Sequence, residues 1–124
     1  MNVLFLLAAV IGLALATAHS YLGERYILIR LLRRPDLPRL FGGVEFTKNT
    51  LRFAWHLTSV AWVGFAALLT VQALSPASSW GPQGQVISAT FALSGVVALV
   101  ASRGRHLSWV AFFAIAALVW LGLR

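Results

Sequence analysis

The stretch "LRFAWHLTSVAWVGFAALLTVQAL", Leu51–Leu74, decides the fold. Its only permanent charge is Arg52, and its other polar side chains are His56, Thr58, Ser59, Thr70 and Gln72. A helix rises 1.5 Å per residue, so roughly 20 apolar residues cross a hydrocarbon layer about 30 Å thick. Inside that layer every backbone N–H and C=O must be satisfied within a helix or a closed barrel. No apolar–polar alternation of period two runs through the stretch, so it reads as a membrane-spanning helix.

Three further apolar runs lie around it: Val3–Ala18, Val86–Ala101 and Leu107–Leu123. The first two reach spanning length with their mildly polar flanks, and the last is near the lower limit. The chain is 60% hydrophobic and 10% charged, against about one quarter charged in a soluble domain. These features predict an all-α fold, a four-transmembrane-helix bundle forming one integral membrane domain over residues 1–124. The spans fall at about 2–22, 51–74, 84–102 and 106–123. No cysteine is present, which excludes disulfides, thiolate catalysis and cysteine-ligated iron–sulfur clusters.

The net charge of +7 could suggest a nucleic-acid partner, but its distribution favours topology. Arg25, Arg30, Arg33, Arg34, Arg39, Lys48 and Arg52 cluster between the first two spans, with Arg103 and Arg105 between the last two. The connection Ser75–Gln85 has no charge. Lys and Arg collect on cytoplasmic loops, which places both termini outside and the basic end among anionic lipid headgroups. A rival reading takes Met1–Ala18 as a signal peptide cleaved before His19, on its Ala16-x-Ala18 ending. No Lys or Arg precedes that apolar core whereas several follow it, so the first span is retained.

After the first span, Tyr21–Arg34 reads either as an interfacial amphipathic helix or as a continuation bent near Gly23, with Pro35 and Pro38 ending it. Thr47, Asn49 or Thr50 are candidate caps for span two. The segment Ser75–Gln85, with Pro76, Ser78, Ser79, Gly81, Pro82 and Gly84, reads as an irregular outer loop. Trp80, Trp109 and Trp120 fit interfacial positions. Ala8, Gly12 and Ala16 form a small-residue stripe suited to close packing, with self-association as the rival use.

The polar residues of interest gather at the cytoplasmic side. His19 and Glu24 stand where span one ends; Arg52 and His56, four residues apart on one helix face, stand where span two begins. Glu24 needs a basic or hydrogen-bonding partner near lipid, and Arg52, Arg25 or His56 could supply it. The cluster His19, Glu24, Arg52 and His56 supports three readings: a structural polar cluster, a proton or solute pathway, and a ligand set for haem b or a divalent metal. No cofactor is favoured, because the chain lacks a His-x-x-x-His pair or a carboxylate–histidine helix motif. His106, beside Arg103 and Arg105, reads as a loop residue.

"AHSYLGERYIL", Ala18–Leu28, and "TLRFAWHLTSVAW", Thr50–Trp62, together resemble small four-span inner-membrane proteins of bacteria with no established function. The resemblance implies a multi-pass protein of the bacterial inner membrane and transfers no chemistry. Small multidrug transporters share the four-span size, but span one here has no acidic residue in its body. Haem-binding anchors of respiratory complexes share the two-histidine idea and differ in span number. The leading reading is a nonenzymatic structural or accessory membrane protein, embedded among lipids as a homo-oligomer or in a larger membrane complex. The alternatives are an oligomeric transporter or proton conductor, and a haem or metal module.

Overall fold

A computed structural model describes residues 1–76 and 79–124. The chain folds into four helices, with no strand among these residues. Helix α1 runs Val3–Leu31, α2 Glu45–Leu74, α3 Gly81–Ser102 and α4 Ser108–Gly122. The first three are long and apolar enough to cross a membrane, and α4 is a shorter apolar helix of 15 residues.

Between the two readings of Tyr21–Arg34, the structure has the continuation. Ordinary α-helix extends from Val3 to Gly23, then a π-helical segment covers Glu24–Leu28, and a last α-turn closes at Leu31. In the wide turn the Ile29 N–H donates to the Glu24 carbonyl five residues back. The extra residue rotates the remainder of the helix, so buried Leu28 lies below buried Gly23 while Ile27 faces outward at 45% exposure. Buried Leu32 continues the inward side. The helix ends four residues ahead of Pro35, whose ring disfavours helix before it.

Two local expectations are corrected. Helix α2 begins at Glu45 without a side-chain cap, and Thr47 instead donates to the Pro38 carbonyl at 2.8 Å, tying the linker to the helix. Asn49 and Thr50 lie within the helix. The α2–α3 connection is also shorter than the run Ser75–Gln85, because α3 starts at Gly81 with Pro82 in its first turn. Proline is preorganised there and its missing N–H costs nothing. Ser78 lies outside the described residues.

Packing pairs α1 with α2 and with α4, and α3 with α4. Phe65 of α2 meets Phe91 of α3 at 5.5 Å, and Trp62 of α2 meets Phe112 of α4 at 5.3 Å. Ala8, Gly12 and Ala16 are all buried, and a methyl built on Gly12 would lie 3.5 Å from Ala66 of α2. The stripe therefore faces a neighbouring helix of the same chain, as small residues do where helices approach closely. Ser88 donates to the Ala116 carbonyl at 2.9 Å and ties α3 to α4.

Asn2 sets the ends in register. Its Oδ1 accepts from the Leu4 and Phe5 amides, capping α1, while its Nδ2 donates to the Gly122 carbonyl and its own amide to Ala73, both at 2.8 Å. Residues 2, 73 and 122 thus share one end. The opposite end holds the α1–α2 linker and the α3–α4 turn, with every basic side chain except Arg124.

Candidate functional site

The side of α1 that meets α2 advances in steps of three and four: Gly12, Ala16, then His19 with Ser20, then Gly23 with Glu24. On α2 the matching side carries Arg52, Trp55 with His56, Ser59 and Trp62. Gly23 brings the two backbones together. A methyl at its Cβ position would lie 2.1 Å from Trp55 Nε1, so only glycine fits beneath the indole. The indole N–H donates to the His19 carbonyl at 3.0 Å, and its ring stacks on the His19 imidazole at 4.5 Å and 4° between planes. Trp62 meets the same imidazole edge-on at 4.8 Å.

The four side chains singled out from sequence meet in one polar chain. Arg52 pairs with Glu24 Oε1 at 3.1 Å as an ion pair, and Glu24 Oε2 lies 3.2 Å from His56 Nε2. His56 Nδ1 is 2.9 Å from Ser20 Oγ, which is 2.8 Å from Ser59 Oγ, and Ser59 Oγ is 3.0 Å from His19 Nδ1. Arg52, Glu24 and His56 are partly exposed, at 47%, 32% and 37%, whereas Ser59 is buried. The π-turn begins at Glu24 itself, a placement common at functional sites.

Ser20, Trp55 and Trp62 are members that sequence reasoning missed. Ser20 and Glu24 are four residues apart, as are Trp55 and Ser59, so the helical spacing that pairs Arg52 with His56 also reaches them. Arg25, offered as a partner for Glu24, turns away: it donates to the Tyr21 hydroxyl at 3.0 Å and lies over the Tyr26 ring. His106 is apart from the cluster, its Nδ1 accepting from the Ser108 amide at the start of α4. The other two acids are paired in the exposed linker region, Asp36 with Arg34 and Glu45 with Lys48. The bonds from Arg34 hold the Asp36 carboxyl below the usual carboxylate range.

This donor set does not fit a metal or haem. The two imidazoles join through serine hydroxyls instead of converging on a point, and His56 has both nitrogens engaged. Among the described residues no three His, Cys, Asp or Glu side chains are arranged to hold an ion. Outside the cluster, Arg52 and His56 border an open groove of about 560 Å³ with Asn49, Phe53, Leu57 and Val60. Comparison of the chain with family models, curated proteins and solved structures gives no match.

Gly23→Ala is expected to displace Trp55, break its bond to His19 and destabilise the protein by about 1–3 kcal/mol, as overpacking does. Gly64→Ala is the control, since a methyl there meets nothing within 4 Å; it should stabilise by up to about 1 kcal/mol through helix propensity. Thermal unfolding followed by tryptophan fluorescence in detergent measures both.

Proposed function

We propose that this chain is a four-span protein of the bacterial inner membrane with a structural or accessory role, in which Glu24 and its partners clamp α1 to α2 at the cytoplasmic boundary. The observation that carries this reading is that the polar chain stops at His19. Beyond His19 the interior passes to Trp62, Phe112, Ile115 and Ala66, an apolar core. A conductor or solute carrier needs a polar route through that core.

Helix lengths support the placement. The 21 residues Val3–Gly23 cover about 31 Å, close to the hydrocarbon thickness. Counting about 30 Å inward from Leu74 along α2 reaches the neighbourhood of Trp55. Both helices thus put the boundary at the Gly23–Trp55 contact, with His19 and Ser59 just within lipid and Glu24 and Arg52 at the headgroups. Helix α4 makes the fourth span with its flanking turn, 15 residues being about 22 Å. The nine basic residues at that end support a cytoplasmic location, with both termini outside and anionic lipid as the immediate partner. The resemblance of Ala18–Leu28 and Thr50–Trp62 to small bacterial four-span proteins points the same way, and either a homo-oligomer or a larger membrane complex suits the apolar outer faces. The same apolar surface argues against a nucleic-acid partner.

The chain has no cysteine, so single introduced cysteines report topology cleanly. In inner-membrane vesicles and intact cells, Arg39→Cys should react with a membrane-impermeant maleimide only from the cytoplasmic face, and Gln83→Cys only from the outer face. The opposite pattern contradicts the topology. The purified protein should be colourless and free of stoichiometric metal, and vesicles containing it should hold a proton gradient as long as protein-free ones. A Soret band or bound metal lost in His56→Ala, or a gradient that collapses with the wild type but not with Glu24→Gln, contradicts the clamp reading.

A further inference from the structure

The two serines do more than fill space between the imidazoles. We propose that His56, Ser20, Ser59 and His19 form a proton relay that carries one proton from the Glu24–His56 pair at the rim to Nδ1 of His19. It rests on the reading of this cluster as the α1–α2 clamp, because that contact holds the four groups in line.

A hydroxyl has one proton to give and two lone pairs to accept with, and a neutral imidazole has one N–H. These valences leave two complete ways to place the hydrogens. The Glu24 carboxylate takes an N–H from His56 Nε2 in both. In the first, His56 is an imidazolium whose Nδ1–H donates to Ser20, Ser20 donates to Ser59, and Ser59 donates to Nδ1 of His19. Neutral His19 then keeps its proton on Nε2. In the second, His56 is neutral and accepts at Nδ1 from Ser20, Ser20 accepts from Ser59, and Ser59 accepts from the Nδ1–H of His19.

The arrangements interconvert by a balanced step. His56 Nδ1–H breaks as a new O–H forms on Ser20; Ser20 passes its former proton to Ser59, and Ser59 passes its own to His19 Nδ1. Three bonds to hydrogen break, three form, and the positive charge moves from His56 to His19. Loss of the Nε2 proton from half-buried His19 to water then completes transfer of one proton along the chain. Among the described residues that nitrogen has no hydrogen-bond partner. The stacked face of Trp55 favours the transient charge on His19 by a cation–π interaction. The charged groups facing the relay are Glu24 on α1 and Arg52 on α2, while Arg25 turns away to Tyr21 and His106 lies apart in the α3–α4 turn. The apolar core past Trp62 makes His19 the inner terminus, so the relay loads a proton without crossing the membrane.

The relay has a signature that charge repulsion between two histidines lacks. Removing a proton from the cluster switches the neutral tautomer of His19 from Nε2–H to Nδ1–H. Long-range proton–nitrogen spectra of the full chain, ¹⁵N-labelled at histidine in detergent, resolve this, with exposed His106 as internal reference. Raising the pH should switch the His19 tautomer at the midpoint at which the cluster loses its proton. Ser20→Ala should abolish the switch, and Ser20→Thr, which keeps the hydroxyl, should restore it. A wild-type His19 that keeps one tautomer throughout, or a switch that survives Ser20→Ala, overturns the relay. Thermal unfolding of the same Ser20→Ala sample judges the clamp separately: a lowered midpoint supports it, and an unchanged midpoint overturns it.

Discussion

The Glu24 carboxylate, half-buried where α1 packs on α2, constrains that half of the structure. Glu24 is the acid nearest the apolar core, and leaving it unpaired there would cost part of its hydration with no partner in return. Its two oxygens are divided between Arg52 and His56, so one residue of α1 binds two successive turns of α2. Engaging His56 orients its ring and presents Nδ1 to Ser20, which brings in Ser59 and His19. The order of the network follows from satisfying that one charge.

Backbone geometry at the same level serves this arrangement. Gly23 lets Trp55 lie against α1, and the indole in turn fixes the depth of His19. The π-turn starting at Glu24 keeps Leu28 and Leu32 inward while the arginines beyond them point outward. At the other end of the helices, Asn2 joins the ends of α1, α2 and α4. Two polar anchor points thus bracket a core of alanine, phenylalanine, leucine and isoleucine, whose contacts alone do not set helix register.

Much of this was legible in the chain. Apolar runs far longer than a strand disclosed the helices, and the absence of charge from Ser75–Gln85 set it against the basic connections. Counting depth along two antiparallel helices put His19, Glu24, Arg52 and His56 at one level and left open whether they meet. Other features were hidden for physical reasons. A π-turn has no residue signature, because it answers tertiary packing of Gly23 and Leu28. Thr47 does not cap because α2 starts two residues earlier, at Glu45, and its hydroxyl donates instead to Pro38 in a linker whose path local sequence does not specify. Ser20 was overlooked because serine is ordinary in helices and gains its role only from the opposing His56.

The central claim is that Glu24 joins α1 to α2 through Arg52. A double-mutant cycle with Glu24→Gln and Arg52→Gln, read by unfolding of the full chain in detergent, tests it most directly. Both groups are partly exposed, so the expected coupling is modest, about 1 kcal/mol, with the double variant less destabilised than the sum of the single ones. Additive losses, agreeing within about 0.3 kcal/mol, would contradict the claim.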